Sequence, residues 1–169
     1  GKSLGAGVPL SAIVGPATVL DAPSAGALLT TAGNPWSAAV GRAVLRTISD
    51  EGLAERAAAA GARLRSGLQQ TIAGLDAVGD VRGRGLAIGI DLVEDRQSKA
   101  RAGRLAARAA YRAWQLGCVV HYVGGNVLEV TPPLVITDAE VDRAVELLTG
   151  AIATAGQVNE EEVAPYAGW

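Results

Sequence analysis

The sequence predicts an α/β fold whose second half is a small α+β domain with a three-stranded sheet. Three observations support this prediction. Apolar residues recur at helical spacing from Leu53 to Ala73, they alternate with polar or small residues from Leu86 to Leu92, and two more apolar runs flank a Gly-Gly-Asn turn at residues 124–126. A spacing near 3.6 residues indicates a helix, and a spacing of two indicates a strand with one buried face.

Residues 1–33 read as a loop-rich segment with one short apolar strand at residues 10–14. Clusters of Gly, Pro, Ser and Thr surround this strand and are typical of turns and loops. A lone strand cannot bury its faces or pair its backbone. We therefore expect its partner strands to belong to a longer polypeptide, of which this sequence would be the C-terminal part.

The remaining elements follow from capping residues and apolar spacing. Asn34 is a good N-cap and Pro35 suits the first helical position, so a helix is predicted to start there. The alanine-rich pattern from Leu53 predicts a second, long helix. Thr137 and Glu140 form the Ser/Thr-x-x-Glu pattern of a capping box before a last helix. Between them we predict strands at 86–92, 118–123 and 127–132 and a helix at 103–116.

The composition and charge of the sequence limit the classes of protein to which it can belong. The 169 residues carry a net charge of −2, with acidic and basic residues interspersed, so no basic field for nucleic acid or anionic lipid is expected. No apolar stretch approaches the ~20 residues of a membrane span. The single cysteine, Cys118, cannot form an internal disulfide, which suits the reducing cytosol. We therefore expect a cytoplasmic protein.

Four segments occur in an order and spacing that resemble one family. They are GKSLGAGVPLSAIVG, LLTTAGNPWSAAVGRAVL, GDVRGRGLAIGIDLVEDRQSK and YVGGNVLEVTPPLVITDAEVDRAVELL. The chain resembles the class III aminotransferases, which are pyridoxal-phosphate (PLP) enzymes of fold type I. The resemblance implies that residues 1–50 end the large PLP-binding domain and start the interdomain helix. Residues 51–79 would complete that helix, and residues 80–169 would form the small C-terminal domain.

Lys2 matches the lysine that forms the Schiff base with PLP in this family. A lysine amine can condense with an aldehyde, be displaced by a substrate and then move a proton. Gly1-Lys2-Ser3 also resembles the end of a phosphate-binding P-loop. That alternative is disfavoured, because Gly5, Gly7 and Pro9 lie where the P-loop helix would begin.

Thr30 matches a threonine that reaches the PLP phosphate of the neighbouring subunit in this family. A hydroxyl group is a suitable donor to a phosphate oxygen. The resemblance therefore implies a homodimer in which Thr30 binds the partner's cofactor. Thr31 is an adjacent alternative, and a turn-forming threonine is the plain structural one.

Glu129 stands where many family members carry an arginine that binds a substrate carboxylate. A carboxylate there would repel a substrate carboxylate or attract a basic amine, so the departure argues against a standard ω-amino-acid pocket. The alternative is that Glu129 is an edge-strand residue that faces solvent.

Other reactive residues are expected to be structural. Arg82 and Arg84 lie at the start of the predicted sheet, and His121 lies in a strand without a nucleophile motif nearby. Cys118 is expected to be a small buried side chain. No cluster of side chains predicts a metal site.

The resemblance implies an aminotransferase that moves an amino group from an amine or amino acid to a 2-oxo acid by a ping-pong route. Two alternatives stay open: an amino-acid racemase or epimerase of the same family, and a non-catalytic binding or dimerisation module. The upstream residues that hold PLP in this family are absent from these 169 residues. We therefore expect this polypeptide alone to be inactive.

Overall fold

The computed structural model describes residues 2–23, 30 and 32–166, without the side chain of Lys2. The chain divides into two compact units, Gly1–Leu53 and Ala54–Trp169, which we describe separately. The helices are α1 (Ala17–Leu20), α2 (Pro35–Asp50), α3 (Leu53–Ile72), α4 (Gly103–Gln115), α5 (Asp138–Thr154) and α6 (Glu160–Val163). The strands are β1 (Val78–Arg84), β2 (Ala87–Leu92), β3 (His121–Val123) and β4 (Val127–Val130). Short 3-10 helices cover Lys2–Gly5, Ala155–Gln157 and Ala164–Tyr166.

The second unit contains a four-stranded antiparallel sheet in the order β1-β2-β4-β3. The prediction of three strands was one short, because it omitted β1. Only Val78 and Val81 of β1 are buried, and the pairing register shifts between Val78 and Asp80. This irregularity, with the glycines at positions 79 and 83, breaks the alternation by which a strand is found in a sequence.

Buried side chains of α3, α4 and α5 pack with those of the sheet in one apolar layer. Alternate residues of β2 and β4 point into this layer, which makes the strands apolar on one side only. The largest fully buried side chains belong to this core: Leu64, Leu68, Ile72, Ile90, Leu92, Leu128, Leu148, Val93 and Val141. Burial of each such side chain stabilises the fold by roughly 1.5–3 kcal/mol.

The predicted capping box at the start of α5 is confirmed. The Glu140 N–H donates to Thr137 Oγ1, and the Thr137 N–H donates back to Glu140 Oε2 over 2.8 Å. These bonds satisfy two backbone groups that the end of a helix leaves without a partner.

A buried asparagine secures the turn between β3 and β4. Asn126 is 4% exposed, and its Nδ2 donates to the Leu92 carbonyl over 2.8 Å and to Asp91 Oδ1 over 2.5 Å. The neighbouring glycines at 124 and 125 have φ of 60° and 87°, which glycine adopts without strain. The Gly-Gly-Asn sequence thus makes the turn and ties it to β2.

The first unit is built around α2. Asn34 caps this helix as predicted, since its Oδ1 accepts from the N–H groups of Trp36 and Ser37 over 3.0 and 3.2 Å. The strand predicted at residues 10–14 is wrong: these residues form neither a strand nor a helix and pair with no described strand. A strand needs a partner for its backbone groups, and within the described part of this unit none is present.

The first unit has little apolar core of its own. Among described residues 2–52, only Gly5, Ser37 and Gly41 are buried, and none of them carries a large apolar side chain; Leu53, the last residue of the unit, is 7% exposed. Ile13 and Val14 are 85% and 94% exposed. In the part of the chain that the structure describes, no helix is both long and apolar enough to cross a membrane.

Candidate functional site

Lys2 begins the 3-10 helix Lys2–Gly5, which a tight turn follows. The Ala6 N–H donates to the Ser3 carbonyl over 3.1 Å, and the Val8 N–H donates to the Gly5 carbonyl over 3.0 Å. Ala6 and Gly7 have φ of 45° and 103°, so the chain turns sharply within the first two turns after Lys2. This geometry differs from the long helix of a P-loop.

Close packing fixes this turn against α2. A Cβ on Gly41 would lie 2.3 Å from Leu10 Cδ2 and 3.7 Å from the Leu4 carbonyl oxygen. A larger residue at position 41 would therefore require the Leu10 side chain to move, which shows how closely α2 packs on the Lys2 segment. The side chain of Lys2 lies outside the described residues, and its catalytic role stays a prediction.

Thr30 lies in an exposed turn of the same unit, and Thr31 is outside the described residues. No hydrogen bond among the described residues joins Thr30 to the Lys2 turn. The role of Thr30 also stays a prediction.

Glu129 lies on β4 in the second unit, and its side chain is exposed. It is directly opposite Gly89 of β2 and His121 of β3. The alternative that Glu129 is an edge-strand residue was wrong in one respect, because β4 lies between two strands. It does face solvent, and it forms no salt bridge with any residue that the structure describes.

The other reactive side chains have structural surroundings. Arg82 forms salt bridges with Asp91 at 3.0 Å and Asp80 at 3.3 Å, and the hydrogen bond that its guanidinium donates to Asp91 is the main cause of its raised pKa. Burial raises the pKa of the Cys118 thiol, which is half-buried rather than fully buried as expected. Among the described residues, no group of three or more His, Cys, Asp or Glu side chains could hold a metal ion.

An apolar surface that the sequence did not predict lies between α4, β3 and the C-terminal helices. Tyr111, Trp114, Val119, Val163 and Tyr166 line this aromatic groove, which has a volume of about 320 Å³. The Tyr111 ring stacks on Tyr166 at 5.7 Å, and Trp114 lies 5.7 Å from Tyr111. The feature of the sequence that could have revealed this groove is the pair of aromatic residues three positions apart in α4, Tyr111 and Trp114.

The residues of the first unit fit the chemistry of PLP. The cofactor needs an amine to bind its aldehyde and hydrogen-bond donors for its phosphate, and Lys2 and Thr30 supply these two kinds of group.

Comparison with known proteins places the chain in a family. The family model of class III aminotransferases matches residues 1–152. A leucine/methionine racemase of Thermococcus litoralis is 39% identical over 99% of this chain, and an isoleucine 2-epimerase of Lentilactobacillus buchneri is 38% identical over all of it. The chain spans only 39% and 38% of the lengths of these two relatives.

A solved structure shows the same architecture. The omega transaminase from Pseudomonas jessenii in complex with PMP aligns with a TM-score of 0.71 and 36% identity over 83% of this chain and 31% of that protein. This match confirms the predicted α/β fold, which is that of the PLP-dependent fold type I transaminases. The chain belongs to the class III aminotransferase family.

Proposed function

We propose that this chain is the C-terminal part of a PLP-dependent enzyme that removes the Cα proton of an amine or amino acid, with Lys2 as the base. The observation that carries the proposal is the position of Lys2, in the segment by which the chain resembles its family. The tight turn after Lys2 and its packing on Gly41 support a lysine held at a defined place in the chain.

The roles of the two residues follow from their chemistry. PLP, when bound, supplies a ring that delocalises the negative charge left on Cα. Lys2 would hold the cofactor between turnovers, and its amine, once displaced by the substrate amine, would take the Cα proton. Thr30 would donate its hydroxyl proton to a phosphate oxygen in the partner subunit, which makes the working enzyme a homodimer.

Amino transfer is the first candidate outcome. Lys2 would return the proton to the cofactor, and the amino group would pass to a 2-oxo acid in a second half-reaction, which gives ping-pong kinetics. The family description and the similarity to an omega transaminase support this reaction.

Racemisation or epimerisation is the second candidate, and a specific observation favours it. Two relatives that match 99% and 100% of this chain are a racemase and an epimerase. In that reaction Cα would be reprotonated from the opposite face, so no 2-oxo acid would be consumed. The two candidates share every step up to the loss of the Cα proton.

Glu129 is proposed to select the substrate by charge. Its exposed carboxylate would attract a substrate with a basic side chain and repel one with a second carboxylate. The absence of an ion-pair partner for Glu129 among the described residues supports this role.

The active species is proposed to be a longer, cytosolic polypeptide. The first unit buries no large apolar side chain among its described residues 2–52, and the chain spans 39% of the length of one relative. Further polypeptide would cover the exposed apolar residues of this unit. The 169-residue chain alone is accordingly expected to be inactive.

The test uses the complete protein incubated with PLP and reduced with borohydride. Mass spectrometry should find a pyridoxyl group on Lys2, and the Lys2→Ala variant should lose both the adduct and the activity. Lys99→Ala is the matched control, since Lys99 is the other lysine of the sequence. An adduct elsewhere would contradict the role of Lys2. No adduct and no turnover would instead support a non-catalytic module.

A second assay separates the two reactions. Amino transfer requires a 2-oxo acid and produces an amino acid from it. Racemisation removes the optical rotation of one enantiomer without any acceptor. The complete protein should catalyse only one of these two reactions at a high rate.

A further inference from the structure

Arg82 of β1 and Glu129 of β4 lie in one row on the face of the sheet that points away from the apolar layer. Arg82 is paired directly with Gly89 of β2, and Gly89 is paired directly with Glu129. Residues directly opposite each other in antiparallel strands point to the same face of the sheet. Because Gly89 has no side chain, β2 places no side chain between the guanidinium of Arg82 and the carboxylate of Glu129.

The side chains of Arg82 and Glu129 are long enough to meet across Gly89. Neighbouring strands lie about 4.8 Å apart, so two strand spacings separate the two backbones by about 10 Å. An arginine and a glutamate that lean toward each other can together span this distance. In the described part of the chain, however, Arg82 makes its salt bridges with other residues, and none joins it to Glu129.

Two carboxylates hold Arg82 away from Glu129. Asp80 and Asp91 are directly opposite each other on β1 and β2, which places two like charges side by side. Arg82 Nη1 lies 3.0 Å from Asp91 Oδ2 and 3.3 Å from Asp80 Oδ2, so its guanidinium compensates both charges. The side chain of Asp91 is 23% exposed and that of Asp80 is 49% exposed. Since solvent weakens ion pairs, Asp91 is the stronger of the two partners.

A buried side chain orients the carboxylate of Asp91. Asn126 is 4% exposed, and its Nδ2 donates to Asp91 Oδ1 over 2.5 Å. The other oxygen of Asp91, Oδ2, accepts from Arg82. The interior of the unit thus directs one oxygen of Asp91 toward Arg82.

We propose that Asp91 is a positioning residue for substrate selection: by holding Arg82, it keeps the carboxylate of Glu129 free for the basic group of a substrate. This inference rests on the proposed role of Glu129. If the guanidinium of Arg82 reached Glu129, it would bind the same carboxylate oxygens that a substrate cation would use. The preference for basic substrates would then be lost although Glu129 is present.

The first test measures KM and kcat of the complete protein with substrates that carry a basic side chain. Asp91→Asn keeps an oxygen that can accept from Asn126 but removes the charge that holds Arg82. We expect KM to rise several-fold, with kcat similar. Adding Arg82→Gln to Asp91→Asn should restore the parental KM, which would not happen if Asp91 were merely structural. Adding Arg84→Gln instead is the matched control, since Arg84 is another exposed arginine of β1, and KM should stay raised.

A stability measurement tests the same contact without turnover. In the parent protein, Arg82→Gln and Glu129→Gln should change Tm additively, because no salt bridge joins the two side chains. In the Asp91→Asn background, the same two changes should be non-additive.

Three results would overturn the role of Asp91 alone: an unchanged KM in Asp91→Asn, a raised KM that Arg82→Gln does not restore, or additive effects on Tm in both backgrounds. The proposed role of Glu129 has a separate test. If Glu129→Gln itself left KM for basic substrates unchanged, that role would fail, and the inference about Asp91 would fail with it.

Discussion

Gly61 of α3 packs directly on the backbone of Gly85 in the turn between β1 and β2. A Cβ on Gly61 would lie 2.0 Å from the Gly85 carbonyl oxygen and 2.2 Å from its carbonyl carbon. The contact joins the long helix to the start of the sheet. No rotamer change can relieve such a clash, because both partners are backbone.

Gly61→Ala should therefore destabilise the protein, despite the gain of about 1 kcal/mol in helix propensity. We expect a net loss of about 1–3 kcal/mol in the free energy of unfolding, measured by chemical denaturation. Gly150→Ala is the matched control: it is also helical, but its Cβ would lie 3.9 Å from Leu116 Cδ1. That variant should be neutral or slightly more stable. Equal effects would contradict the packing argument.

Gly41→Ala should impair activity more than stability. The new Cβ would displace the Leu10 side chain, and Leu10 belongs to the segment that carries Lys2. A shift of about 1 Å at a catalytic group can reduce the rate by about a hundredfold, so any part of this displacement that reaches the proposed base Lys2 should lower kcat, by up to about a hundredfold. In Gly15→Ala, the control, the added Cβ makes only ordinary contacts with Leu20 at 3.7 Å. An unchanged kcat would argue against this coupling.

The capping box predicts a pH-dependent contribution to stability. Hydrogen bonds from the Thr137 N–H and hydroxyl hold the pKa of Glu140 below its usual value. Because the folded-state pKa is the lower one, the ionised carboxylate stabilises the fold above the unfolded pKa of about 4.3. This contribution is lost as the pH falls through the folded-state pKa.

Thermal unfolding between about pH 3 and pH 6 checks this prediction. Compared with the parent protein, Glu140→Gln should flatten the decline in Tm below about pH 4.3. Thr137→Ala should also cost about 1 kcal/mol at neutral pH. If Tm fell with pH in parallel for the parent protein and its variants, the charge of Glu140 in the capping box would contribute nothing to stability.

Thr30→Ala should weaken cofactor binding without removing the Lys2 adduct. The loss of one hydrogen bond to a charged phosphate corresponds to about 1.5–3 kcal/mol, or roughly ten- to a hundredfold in Kd. PLP titration of the complete protein measures it, with Thr31→Ala as the neighbouring control. A larger effect at Thr31 would transfer the role to that residue.

Glu129→Gln should change substrate preference and leave kcat similar. We expect KM to rise several-fold for substrates with a basic side chain and to fall for those with a second carboxylate. Glu129→Arg should accentuate both changes. Asp80→Asn, another exposed carboxylate of the sheet, serves as the control. If the KM for each substrate were the same in the variants and the parent protein, Glu129 would be a solvent-facing residue without a role in substrate selection.

Sequence patterns predicted the elements whose signals are local. Asn34 with Pro35 and Thr137 with Glu140 each define a helix start through contacts within four residues, and the structure confirms both. The alternation from Leu86 to Leu92 likewise gave β2. The glycines and register shift of β1 concealed that strand, because its burial does not alternate.

Features that depend on distant partners were beyond the sequence. The segment at 10–14 has the composition of a strand, but no described residue supplies the strand it would pair with. The aromatic groove joins Tyr111 and Trp114 to Tyr166, which is far along the chain. The position of Glu129 within the sheet depended on the order β2-β4-β3, which no local spacing encodes.

The poor burial in the first unit has a consequence for how the enzyme would fail. The Lys2 turn packs on α2 but has no large buried apolar side chain beneath it among described residues 2–52, whereas the second unit has an apolar interior. Mild denaturant or proteolysis should therefore disrupt the Lys2 segment under conditions in which the β-sheet of the second unit stays folded. The proposed activity would then be lost before the second unit unfolds. The product of partial damage would be a protein that is still folded in its second unit but inactive.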